Sequence, residues 1–271
     1  MKKIILIYFM TSITICFSQN YHNYTEDQEV FLYGDNVKLR EFPNTNSEIL
    51  KLLPIGEKVI IKKITDVQYE YNGISSPWYL VNYNNIEGYI VGGLISLKKQ
   101  KSSYYTNAFY VYSMSKEIKD EYSETYINIR FIKDNKVNSE IKIKLFGNGE
   151  FEILISDNKG LENVKDIIVI DNYSGACGID GGKSYIIYNG KDLIHMANTS
   201  EIGDGGIYHY ESYFTFPSEK GGKKGVIVYN QENGEMKDEK TDWYITTSQQ
   251  RNLIWDGKKL IPNDYDKSNE K

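Results

Sequence analysis

Apolar and polar residues alternate along most of this chain, and nowhere does the pattern settle into a convincing helical spacing. Val37 and Leu39 share one face of a strand, with Asn36, Lys38 and Arg40 on the other. Tyr126-Ile-Asn-Ile-Arg-Phe-Ile132 alternates in the same way, and so does Ile141-Lys-Ile-Lys-Leu145. A repeat of two buries one face of a pleated sheet, so the pattern restricts the chain to an all-β fold. The 24 tyrosines, against 5 prolines, suit that reading. A tyrosine ring packs on a pleated surface while its hydroxyl stays wet.

Residues 1–18 read as an address rather than as structure. Lys2 and Lys3 form a charged start, residues 4–16 are mostly apolar, and Cys16-Phe17-Ser18 offers small residues at the −3 and −1 positions of a cut before Gln19. That is the pattern of a secretory signal peptide, too short to remain as a membrane helix, and it leads us to expect export to the periplasm or beyond. Lipidation at Cys16 needs small residues just upstream, where Ile13, Thr14 and Ile15 supply bulk. No later segment is long and apolar enough to cross a bilayer as a helix. The cut would leave Cys177 as the one cysteine, so packing and not a disulfide must hold the fold. About 250 residues would remain, enough for two cores. There are 37 acidic and 32 basic residues, and loss of Lys2 and Lys3 takes the net charge from −5 to −7. Such a balance speaks against nucleic acid, whose phosphates demand a basic face, and against an anionic membrane surface.

Residues 19–27 are a polar lead-in, in which His22 has no partner pattern and is expected to be solvated. The Val37/Leu39 strand is broken by Pro43 and Asn44, as a turn requires. Ile49, Leu50, Leu52, Leu53 and Ile55 give a dense apolar patch closed by Gly56. Val59-Ile60-Ile61 and residues 78–81 follow as strands, and Gly88-Tyr89-Ile90 enters the last pair before Leu94 and Ile95. Five short strands in about 65 residues fit a small closed barrel, whose closure hides its edges. This order of features, over residues 28–98, resembles a bacterial SH3-like domain. The resemblance implies a barrel with no chemistry of its own, and a shallow aromatic groove bordered by loops that receives short peptides or wall fragments. By position, Arg40, Phe42, Trp78 and Tyr89 match the family's pattern as ligand-binding residues, with Tyr89 standing where the family often has Trp. Residues 66–76 exceed a tight hairpin and are expected as a loop carrying Tyr69 and Tyr71, so Tyr71 joins the candidates. Trp78 and Tyr89 also read as barrel core, since aromatics on strands are more often packing than recognition. Phe42, beside a turn proline, is expected to be exposed.

The charge and serine of residues 99–105 suggest a linker to a second all-β domain over 106–264, with a polar tail at 265–271. Gly147-Asn148-Gly149 is expected to turn the strand ending at Leu145 into Phe151-Glu-Ile-Leu-Ile155, completing a three-stranded meander. Further strands are expected at 167–170, 185–188, 208–216, 226–229 and 244–247. Tyr188-Asn-Gly-Lys-Asp-Leu-Ile194 echoes Trp255-Asp-Gly-Lys-Lys-Leu-Ile261. The echo reads either as two convergent hairpins with two-residue turns or as a duplicated unit, as in propeller blades. The expected fold is an antiparallel β-sandwich-like domain after the barrel, with a partial propeller-like domain as the alternative.

A glycine-rich loop, Asp171-Asn-Tyr-Ser-Gly-Ala-Cys-Gly-Ile-Asp-Gly-Gly182, holds Cys177, and Asp204-Gly-Gly206 repeats its tail. This region resembles uncharacterised exported proteins of Bacteroidetes-type bacteria that follow an SH3-like domain, a likeness that implies no activity. Three readings compete. A hydrolase of wall peptides would use Cys177 as nucleophile and His195 or His209 as base, but no helical pattern follows the cysteine, and Ala176 and Gly178 flank it where such peptidases carry Asp-Cys-Ser-Gly. A small buried thiol explains it as well. A calcium site would use Asp171, Asp180 and Asp204, carboxylates too sparse for an EF-hand-like loop. The reading left by elimination is a passive binding or assembly module, with Tyr208, Tyr210, Tyr213, Phe214 and Phe216 as surface candidates of which alternation buries half. The sequence is thus read as an exported, non-enzymatic envelope protein without cofactor, whose first domain recognises peptidoglycan peptides or an envelope protein.

Overall fold

The structure, a computed structural model, describes residues 22–119, 122–147, 149–173, 178–204, 207–238 and 243–265. Residues 1–18, Cys177 and all but the first residue of the tail lie outside them. Nineteen strands and one 3-10 turn occur among the described residues, and no α-helix. The first sheet holds β1 (Glu29–Phe31), β2 (Val37–Arg40), β3 (Ile49–Leu53), β4 (Lys58–Tyr71), β5 (Ile74–Tyr83) and β6 (Ile86–Val91), in the order β1-β4-β5-β6-β2-β3. Its core gathers Val37, Leu39, Leu53, Val59, Ile61, Tyr79, Val81 and Ile90, the apolar half of each alternating strand.

Three antiparallel meanders follow. β7 (Lys99–Lys101), β8 (Ala108–Lys119), β9 (Tyr122–Lys133) and β10 (Lys136–Lys144) make one sheet. β11 (Phe151–Ser156), β12 (Asp166–Asn172), β13 (Gly182–Tyr188) and β14 (Leu193–Asn198) make the next. The last holds β15 (Glu201–Asp204), β16 (Tyr208–Thr215), β17 (Ile227–Asp238), β18 (Trp243–Trp255) and β19 (Leu260–Ile261). They stack face to face, as in a sandwich with one extra layer. Ile168 and Ile170 of β12 pack on Tyr112, Ile129 and Phe131 of the sheet before, while Ile167 and Val169 pack with Phe214, Tyr229 and Leu253 of the sheet after. The middle sheet is therefore buried on both faces.

The barrel joins this stack directly. Lys99–Lys101, within the stretch expected as a linker, is a strand paired to β8. Tyr33 and Ile55 of the barrel share a core with Val111 and Ile132 from the outer face of the β8–β9 sheet, and Phe109 packs against it. Lys99 lies between the Phe31 and Phe109 rings, 4.5 and 4.0 Å from their centroids, and donates to the Gly56 carbonyl at 2.9 Å. Burial lowers its pKa, against the opposing pull of Glu57.

Four expectations are corrected. Residues 66–76 are not a loop: β4 and β5 run on as one ribbon to a two-residue turn, Asn72 and Gly73, both at positive φ (53° and 75°). The tip docks on β8, where Lys116 N donates to Asn72 O at 2.9 Å. A Cβ on Gly73 would sit 2.1 Å from the Lys116 carbonyl oxygen. Gly73→Ala should therefore destabilise the protein by about 2 kcal/mol or more and speed hydrogen exchange at the Lys116 amide; unchanged exchange there would contradict the docked tip. The expected meander breaks at Gly147: β10 pairs with β9, whereas β11 leaves to pair with β12 in the next sheet. The echoed segments are two hairpins of like geometry, but with four-residue loops. Tyr188 pairs with Leu193 and Trp255 with Leu260, because Asn189 and Asp256 each accept two backbone N–H groups of their own loop through Oδ1. Finally, His22 is 1 % exposed, not solvated. Its carbonyl accepts from the Tyr79 hydroxyl, and Nδ1 lies 3.4 Å from the Tyr24 hydroxyl.

Candidate functional site

The turn at Asn72 and Gly73 brings the distal half of β4 over the start of β5, and with it Tyr69 and Tyr71, two positions apart on one face. Together with Trp78, Val37, Val91 and Leu94 they wall a groove of about 310 Å³. Trp78 is only 4 % exposed and forms the floor, its ring meeting that of Tyr69 edge-on at 6.0 Å. Thr65 Oγ1 donates to the Trp78 carbonyl at 2.9 Å across a break in the β4–β5 ladder. Tyr71 rests against the backbone after β6: a Cβ on Gly93 would come within 2.9 Å of the Tyr71 Cβ, so only glycine lets the ring lie there.

Charge sits at the rim. Asp35, Lys38 and Arg40 line the groove, and none has an ion-pair partner among the described residues. Asp35 and Arg40 are oriented by backbone instead. Asp35 Oδ1 accepts from the amides of Asn36 at 3.0 Å and Ile55 at 3.3 Å, and Arg40 Nη1 donates to the Ser47 carbonyl at 2.7 Å. An aromatic cleft edged by both signs of charge has the chemistry to hold a short peptide with small apolar side chains and ionised groups.

Of the five candidate residues, Arg40, Tyr71 and Trp78 meet in the groove, and Phe42 and Tyr89 do not line it. Tyr89 is half-buried on β6, opposite Arg40 and two positions from Val91. Phe42 is 56 % exposed in the β2–β3 turn, its amide donating to Ser47 Oγ at 2.8 Å. It lies beside the edge strand β3, where Ile49, Leu50 and Leu52 are exposed while Leu53, and Ile55 just beyond the strand, face the interior. Tyr69 and Asp35 were not among the candidates. Tyr69 would have followed from Tyr71 by the period of two, had the ribbon been recognised.

The candidates beyond the barrel are scattered. His195 lies exposed on β14 with Nε2 2.8 Å from Asn198 Oδ1, and His209 lies on β16 in another sheet, 3.5 Å from Glu232. Their proposed nucleophile, Cys177, is outside the described residues. Asp171 pairs with Lys183 at 3.2 Å, Asp180 and Asp204 are exposed, and no group of three or more metal-binding side chains occurs among the described residues. Tyr210, Phe214 and Phe216 are buried, leaving Tyr208 and Tyr213 partly open.

Residues 35–96 match the family described as the bacterial SH3 domain, and the groove residues from Asp35 to Leu94 all fall inside that span. No curated protein and no solved structure matches the chain. No helix among the described residues is long and apolar enough to cross a membrane. A domain of this family points to a binding role associated with the cell wall.

Proposed function

We propose, with the bacterial SH3 domain at residues 35–96 as premise, that this is an exported, non-enzymatic binding protein of the cell envelope whose groove takes peptidoglycan peptides. The observation that carries the reading is the groove itself: an open aromatic cleft over Trp78, with Asp35, Lys38 and Arg40 unpaired among the described residues at its edge, Asp35 and Arg40 already oriented there. Wall peptides offer methyl-sized side chains for the rings of Tyr69 and Tyr71, and amines and carboxylates for the rim. Pre-set side chains lose little freedom on binding, which favours a short ligand. The succession in residues 1–18, charged then apolar then small, supports export.

Retention of the intact protein on sacculi stripped of other proteins tests this. Tyr69→Ala combined with Tyr71→Ala, which empties the wall of the groove and leaves the Trp78 side chain in the floor, should lower retention about tenfold or more. Unchanged retention in the double variant would remove the groove from the account. No retention of the folded wild type would refute wall binding and leave an envelope protein as the ligand to seek.

A further inference from the structure

Tyr71 walls the groove on one side and a second cleft on the other. That cleft, about 360 Å³, opens between the β4–β5 ribbon and the β9–β10 ribbon. The barrel side contributes Tyr33, Tyr71 and Asn72, and the sheet beyond contributes Asn128, Arg130, Glu140 and Lys142. Its charges are held in place. The Arg130 guanidinium lies 4.5 Å from the Tyr33 ring centroid, donates Nη1 to the Tyr33 carbonyl at 3.2 Å, and pairs through Nε with Glu140 at 3.0 Å. Lys142 pairs with Glu117 and lies 3.9 Å from the Tyr126 ring centroid. The two clefts are also fixed relative to each other, because the ribbon tip is bonded to Lys116 with no room at Gly73 for so much as a methyl group.

Both clefts set cations and a carboxylate beside ring or amide surface, unpaired in the first and ion-paired at the rim of the second. Lys38, Arg40 and Asp35 supply them in the first, and Arg130, Lys142 and Glu140 in the second. A ligand matched to both needs amines and carboxylates at two separate places along its length. We infer that the two clefts hold a single ligand that runs past Tyr71: a cross-linked peptide with an amine and a carboxylate on each arm. This rests on the reading of the groove given above and extends it to the length of ligand recognised. Once one arm is seated, the second binds as an intramolecular event, so two modest contacts give a combined affinity that neither reaches alone.

Calorimetric titration of the intact protein with purified wall peptides, one set uncross-linked and one cross-linked, tests the inference. The cross-linked peptide should bind about tenfold or more tighter, well beyond the factor of about two that its duplicate arms give by statistics alone. Lys142→Ala changes an exposed side chain on β10, outside the barrel and its groove. It should bring the cross-linked peptide close to the affinity of the uncross-linked one and leave the latter unchanged; Glu140→Gln should act in the same direction. Equal binding of both peptides by the wild type overturns the inference while the groove reading stands, and so does a Lys142→Ala effect that is the same on both. If neither peptide binds, the groove reading itself falls, and this extension with it.

Discussion

Asp166→Ala is expected to cost about 3 kcal/mol of folding stability, the scale of removing a buried carboxylate acceptor from several neutral donors. Asp166 is fully buried at the start of β12. It accepts from Ser102 Oγ at 2.5 Å, from the Ser103 amide at 2.8 Å, from the Ser103 hydroxyl, and from the Tyr110 hydroxyl at 2.7 Å. Burial first, and then the Asp166 charge, raise the Tyr110 pKa, so that hydroxyl remains a donor at any ordinary pH. Around it Tyr110, Phe131 and Tyr188 form an aromatic cluster with centroids 5.0 and 4.0 Å apart in successive pairs. The carboxylate thus fastens the turn after β7 to the middle sheet. Without it, the Tyr110 hydroxyl loses its acceptor inside the packed core, and the Ser103 amide and the two serine hydroxyls lose theirs at its edge. Asp166→Asn keeps the shape but turns an NH₂ group toward donors, so it should lose roughly half as much. Denaturant unfolding of the two variants measures both, and a loss under about 1 kcal/mol for the alanine variant would contradict a fastening role.

The second large effect is a loss of stability in mild acid. Burial pushes the His22 pKa down to about 4 from its ordinary 6.5, and Nε2 has no hydrogen-bond partner among the described residues. Between those two values the unfolded chain binds a proton that the folded chain refuses. Stability is therefore full above about pH 6.5, falls as the pH drops, and is lower by about 3 kcal/mol near pH 4. Glu124, held down to about 2 by Lys119, Lys144 and Tyr126, adds its own loss only below the usual carboxylate range, so the interval from 6.5 to 4.5 isolates the histidine. His22→Phe keeps an apolar ring in place and should flatten the profile over that interval. A wild type whose unfolding midpoint is constant from pH 7 to 5 would show that the imidazole is not sequestered.

Much of the barrel was legible because its strands have one wet face. Val37 and Leu39 alternate with exposed neighbours, and the structure buries the residues the alternation selects. β8 gave no such signal, since Ala108 to Ser115 is covered on both sides and presents an almost continuous buried run. The ribbon of β4 and β5 was misread because Thr65 to Val67 interrupts the ladder, which hid the Asn72 and Gly73 turn beyond it. That single turn decides the groove, as it carries Tyr69 and Tyr71 to Trp78. The change of sheet at Gly147 was equally hidden: a turn signal says that the chain reverses, not which neighbour the next strand joins. His22 was unreadable for a different reason. Its burial comes from Tyr24 and from Tyr79, the latter 57 positions away, contacts that no local pattern announces.

The middle sheet has a consequence for how the protein is made. Emerging from its N-terminal end, the chain delivers the barrel and the first meander before β11, so one side of β12 and β13 can be clothed as soon as it appears. The opposite side, with Val169, Tyr185 and Ile187, stays bare until Phe214, Tyr229 and Leu253 follow. For that interval a nascent chain displays a broad oily plane, the kind of surface on which chaperones are recruited and from which aggregates grow.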